Sequence, residues 1–156
     1  MPDLRSDQTR DKILHAAAEL FARDGFRATG IRAICEAAGT NVAAVNYYFH
    51  SKENLYIEVF HLLLDGFKEP FQSIPNDIHD DASWRTALNR WVKLALRIST
   101  SEKPPERWIS QLMAYERIHP TAALPILLKE LFEPFRSSIE SVLRMGMPPD
   151  TPELDL

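Results

Sequence analysis

An all-α chain, with a three-helix head joined to a longer helical body, is what this sequence predicts, on three observations. Apolar residues recur at three- and four-residue spacing along most of its length, the period of helices with one buried face. The stretch Ile34-Cys35-Glu36-Ala37-Ala38-Gly39-Thr40-Asn41-Val42-Ala43-Ala44-Val45-Asn46-Tyr47-Tyr48-Phe49 reads as two short helices joined by a glycine-led turn of three residues. Helices joined that tightly cross steeply, the geometry of a helix-turn-helix. Ser51-Lys52 then opens a long helix leading out of the head. In a helix-turn-helix the second helix enters the DNA major groove while the first crosses the backbone. The motif therefore points to sequence-specific DNA binding.

The first helix is expected over about Thr9 to Asp24, with Ile13, Leu14, Ala17, Ala18, Leu20 and Phe21 on one face. Gly25 stands where a left-handed C-terminal cap belongs. The second helix begins near Thr29-Gly30, carries Ile31, Ile34 and Ala38 inward, and closes at Gly39. Asn41 suits the N-cap of the third, because its side chain accepts an orphan backbone N–H. Val45 and Phe49 then point back into the core. Ser51 caps the fourth helix, with Glu53 favouring its dipole. Leu55, Tyr56, Val59, Phe60, Leu63, Phe67 and Phe71 form its stripe, long enough to tie the head rigidly to the body. Residues 73–83 are a polar, proline-containing loop. The fifth helix is expected from Ser83 to Thr100, with Trp84, Leu88, Trp91 or Val92, and Ala95 on one side. Pro104-Pro105 start the sixth, which holds Trp108, Leu112 and Tyr115 on a face. The seventh runs from about Thr121 to Met145, is disturbed at Pro125 and Pro134, and stops at Gly146 and Pro148-Pro149. The expected division is a head over 1–50, a body over 51–146 and an untethered tail over 147–156.

With 156 residues and 45% apolar content, the chain can bury one or two modest cores. It holds no run of 18 apolar residues, and its N-terminus lacks a signal-peptide profile. The single cysteine, Cys35, rules out an internal disulfide, suits a reducing cytosol and reads as a small buried residue. These features predict a cytoplasmic protein without a membrane partner. Net charge is −4, whereas nucleic-acid binders are often basic. Residues 1–55 carry seven basic and seven acidic side chains, so the surplus acid lies in the body. A neutral head on an acidic body excludes a protein that coats nucleic acid by charge alone, since counterion release needs many phosphate contacts.

Ile13-Leu14-x-x-Ala17, Phe21, Gly25-Phe26, Thr29, Ile34, Ala38-Gly39, Tyr47-Tyr48-Phe49 and Ser51-Lys52-Glu53-x-Leu55 together resemble the N-terminal domain of the TetR family of bacterial transcriptional regulators. The run Val42 to Phe49 is closer to the CecR-like branch, and Glu116, Pro120-Thr121-Ala122-Ala123 and Pro134 resemble that branch's C-terminal domain. The resemblance implies that Asn41, Val42, Ala43, Ala44 and Asn46 belong to the groove-reading helix. It implies too that Tyr47, Tyr48 and Lys52 hold phosphates while Thr29 and Arg32 approach from the second helix. The chemistry is apt: a carboxamide at Asn46 can select adenine, and small apolar side chains suit thymine methyls. Packing is the competing role for Val42, Ala43 and Ala44, and one tyrosine could instead close the head against the fourth helix. Gly30 and Ile31 depart from the hydroxyl residues the family often carries, which weakens a phosphate clamp there.

The resemblance further implies a ligand-responsive repressor without catalysis or cofactor, acting as a homodimer on palindromic double-stranded DNA. Its body would enclose an unknown small-molecule effector, with Trp91, Trp108, Leu112 and Tyr115 as candidate lining; simple core is the competing role for these aromatics. The resemblance also implies two further long helices, forming the dimer interface, after the seventh, and the expectation is that this form lacks them. A shortened form, impaired in operator binding and acting only as an effector-binding or interaction module, is therefore the alternative. A rival of another class rests on Glu58-x-x-His61 and Glu116-x-x-His119, the spacing of a di-iron helical bundle. The main reading places no metal.

Overall fold

The computed structural model describes residues 4–147; the side chain of Phe67 and the tail beyond Met147 lie outside that description. The described residues form α1 (Leu4–Ala28), α2 (Ile31–Ala38), α3 (Val42–Phe49), α4 (Lys52–Ser73), a 3₁₀ turn (Ile74–Asp77), α5 (Asp81–Thr100), α6 (Glu106–Ile118), α7 (Leu124–Leu127), a π segment (Leu128–Phe132) and α8 (Glu133–Gly146). All-α architecture is as the spacing predicts. No described helix is long and apolar enough to cross a membrane.

α1 is helical through Asp24 and then kinks at Gly25, whose φ of 79° and ψ of 165° no helix contains. The kink swings the chain into the turn before α2. Gly39, in the left-handed region, closes α2 with its N–H on the Glu36 carbonyl. Asn41 and Ser51 cap α3 and α4 as expected, accepting the N–H groups of Ala44 and Asn54 at 2.9 and 3.1 Å.

α5 starts two residues before its expected position. Asp80 is the N-cap; Ser83 is the third helical residue, and its hydroxyl oxygen accepts the Asp80 N–H in return, completing a capping box. The seventh helix is not one element. Pro125 sits in the first turn of α7, where its missing N–H costs nothing. Pro134 has no N–H to offer the Glu130 carbonyl four residues back, and the chain widens there into the π segment before resuming as α8.

One buried cluster runs without a break from head to body: Ile13, Ala17 and Phe21 of α1, Ile34 of α2, Val45 and Phe49 of α3, then Leu55, Tyr56, Val59 and Phe60 of α4 with Ile109, Leu112 and Leu127. Tyr56 is its aromatic hub, with Phe21, Phe26 and Phe60 rings at 4.9, 4.9 and 5.0 Å. Burial, reinforced by the Glu116 carboxylate, pushes its phenol far above the ordinary range. A smaller cluster of Ile74, Ala87 and Val142, with Trp84 and Leu88, closes the far end of α5 and α8.

Glu106 opens α6 and accepts two bonds from Arg97, at 2.8 and 3.0 Å. Its own backbone N–H, foremost, and Arg97 hold its carboxyl below the usual range against the opposing pull of burial. A lowered folded value stabilises the protein above the unfolded value and is lost as pH falls through the folded one. Glu106→Gln should cost roughly 1 kcal/mol at neutral pH, kept small by the exposure of Arg97, and flatten the acid limb of thermal stability below about pH 5. Melting curves from pH 3 to 7 check this; superimposable acid limbs would contradict it.

Candidate nucleic-acid interface and body cavity

α3 is fastened by Val45 and Phe49, 1% and 2% exposed and four residues apart on one face. The opposite face is open: Asn41, Val42, Ala43, Asn46 and Tyr47 are exposed, Tyr47 at 74%. Ala44 is half-buried and packs on the core. The tyrosines divide: Tyr48 turns to the protein, its ring 6.2 Å from Phe49, while Tyr47 stands outside it, edge-on at 5.0 Å. Asn41 commits its carbonyl oxygen to the cap, a bond that leaves its two side-chain N–H donors unused. His50, to which the motif assigns no role, is exposed immediately after α3 with φ at 65°. Its spacing of four from Asn46 is the signal that could have found it.

Thr29 is a correction. It is 3% exposed, and its hydroxyl lies 2.9 Å from the Gly25 carbonyl and 3.1 Å from that of Leu20. Its hydroxyl thus folds back across the kink onto carbonyls of α1, beside its own N–H, which meets the Gly25 carbonyl at 3.3 Å. It shapes the head from inside and cannot reach a phosphate. Arg32 is exposed on α2 with no partner among the described residues. Lys52 is half-buried, its ammonium 4.4 Å above the Phe26 ring. To hold a phosphate it must share that ring or leave it.

The body holds a cavity of about 300 Å³ lined by Phe71 of α4, Ile98 of α5, Met113 and Arg117 of α6, and Phe132 and Phe135 beyond. None of the four residues expected to line it does so. Leu112 is fully buried in the main core. Trp108 lies on the α1 side, 6.5 Å from the His15 ring. Tyr115 packs on Gly25 and donates its hydroxyl to the Arg23 carbonyl at 3.0 Å. Trp91 stands behind the wall, its ring 5.6 Å from Phe71 and 4.4 Å from Phe135. The physical reason is helical phase. The large aromatics of α6 face the head, whereas the smaller set Ser110, Met113, Ala114 and Arg117 faces the cavity.

A chain of polar side chains joins head to body. Arg10 of α1 pairs with Glu58 of α4; His61 stands between Glu58 at 3.4 Å and Glu130 of the π segment at 3.3 Å, one ring nitrogen to each. Opposite ring nitrogens diverge, so these three side chains cannot converge on one ion. Glu116 is spent on the Thr121 N–H and hydroxyl, at 2.9 and 2.8 Å. Among the described residues no three metal-ligating side chains come together, and the di-iron reading loses its geometry. Cys35 is 5% exposed and its thiol is pushed up by burial, as befits a packing residue.

Known proteins share this fold. Residues 13–59 match bacterial regulatory proteins of the tetR family, and residues 85–156 match the C-terminal domain of the HTH-type transcriptional dual regulator CecR. The chain is 26% identical over 148 residues to CecR of Shigella flexneri, covering 90% of this chain and 65% of that protein. It is 31% identical over 128 residues to the HTH-type transcriptional regulator RutR of Escherichia coli, covering 82% of this chain and 55% of the relative. It therefore spans less than two thirds of either relative. A crystal structure of a linker-substituted mutant of HlyIIR superimposes with a TM-score of 0.71 at 30% identity, covering 90% of this chain and 72% of that one. Unsubstituted HlyIIR, described as a hemolysin II transcriptional regulator, gives 0.69 at 29% identity, covering 90% of this chain and 74% of that one.

Proposed function

The chain belongs to the TetR family of bacterial regulatory proteins, and from that membership we propose that it is a ligand-responsive, sequence-specific DNA-binding transcriptional regulator of repressor type. The observation that carries this is the open face of α3, where Val42, Ala43, Asn46 and Tyr47 face water while Val45 and Phe49 hold the helix in place. Small apolar side chains beside a carboxamide suit an A·T-rich major groove. Tyr47, Asn41 and Arg32 offer donors to the flanking phosphates, which position without reading sequence. As a homodimer the protein would present two such helices about one helical turn, ~34 Å, apart on a palindrome.

Two links support communication between cavity and head. Leu131 and Phe132 line the cavity next to Glu130, which begins the chain of side-chain contacts through His61 and Glu58 to Arg10. Tyr115 ties α6, whose other face lines the cavity, to the end of α1. A ligand that displaced α6 or the π segment would therefore move α1 directly. The division into a reading head over 1–50 and an effector body over 51–146 is part of this proposal, although their packing is shared.

Light scattering joined to gel shifts at two salt concentrations tests the reading, on fragments selected from the source genome. A dimer giving a specific, salt-dependent shift is expected; a monomer that shifts no fragment would overturn it. Lys52→Ala should weaken all sequences about equally and lower the salt slope by about one. A selective loss on one sequence would contradict that role.

A further inference from the structure

We propose that the body cavity takes a small amphipathic anion, an apolar body ending in one carboxylate that meets Arg117. The walls are apolar: Phe71, Ile98, Met113, Leu131, Phe132 and Phe135. At about 300 Å³ the space lies at the lower end of the ~300–1,000 Å³ usual for small-molecule sites. Its two hydroxyls are already committed to backbone carbonyls. Ser99 donates to Ala95 at 3.0 Å, and Ser110 lies 2.6 Å from the Ile98 carbonyl and 3.1 Å from that of Glu106. A polyol would find few free partners there. Arg117 is different: exposed at the margin, it has no ionic partner among the described residues, whereas Arg97 on the facing helix is neutralised by Glu106. No acidic side chain lines the described cavity, so a cationic ligand would find no carboxylate to pair with and would face Arg117. A guanidinium beside a hydrocarbon space selects a carboxylate with an apolar tail.

The inference rests on reading this cavity as the effector site, yet its test needs no DNA. Octanoate, octanol and octylamine are titrated calorimetrically into the full chain and into Arg117→Gln. Octanoate should bind at least tenfold tighter than octanol and octylamine; Arg117→Gln should weaken octanoate about five- to tenfold while leaving octanol unchanged. Met113→Trp, which fills the space, should abolish both. No octanoate binding at millimolar concentration, equal binding of the three compounds, or indifference to Arg117→Gln would overturn the proposal. Octanoate that binds but releases no DNA would leave the site intact and remove only its effector role.

Discussion

Gly25→Ala should lower the unfolding free energy by about 2–4 kcal/mol. With φ at 79° and ψ at 165°, Gly25 occupies a region essentially reserved for glycine, where any other residue is strained by ~1–3 kcal/mol. A Cβ there would also stand 3.0 Å from Cε1 and 3.1 Å from Cδ1 of Tyr115. That ring cannot simply swing away, because its hydroxyl is bonded to the Arg23 carbonyl. Gly30→Ala is the control: its φ is −95°, nothing lies within 4 Å of a Cβ, and the change should stay within about 0.5 kcal/mol. Urea unfolding of the three proteins reads both. A loss below about 1 kcal/mol at position 25 would mean that the kink relaxes freely and that Tyr115 does not lock it.

Asn46→Ala should relax base preference at one position of each half-site by about 1–3 kcal/mol and leave the rest of the site intact. Asn46 is exposed on α3, with Val42 and Ala43 beside it on the same open surface. Its carboxamide can give and take a hydrogen bond with adenine at once, which a methyl cannot replace. The preferred site is first obtained by selection, then each base is varied singly and its affinity measured for both proteins. An unchanged profile for Asn46→Ala would place base reading on other residues, His50 and Arg32 first among them.

The head was legible because its signals are local. Gly39, Asn41 and Ser51 each act within four residues of themselves, and Val45 and Phe49 share one face by spacing alone. Thr29 was misread because its hydroxyl turns inward to the Leu20 and Gly25 carbonyls, across a break in helical phase at Gly25 that spacing alone does not show. The cavity was illegible for a different reason. Its walls come from α4, α5, α6, the π segment and α8, and which face of α6 looks inward depends on how α6 packs on α1. Size favoured Trp108 and Tyr115, but large aromatics repay burial against the head more than they repay an open space. Pro134 announced a disturbance, though not that it would be absorbed as a π segment carrying Glu130 to His61.

The only sulfhydryl in the chain also gives the molecule a built-in clock. Cys35 sits sealed within the head, so a thiol-specific reagent can label it only during excursions that part α2 from its neighbours. When reclosing outpaces labelling, the observed rate divided by that of an unstructured thiol is the fraction of time the head stands ajar. Adding operator DNA or a body ligand to that assay would reveal which of them quiets the breathing and which quickens it, with no probe attached.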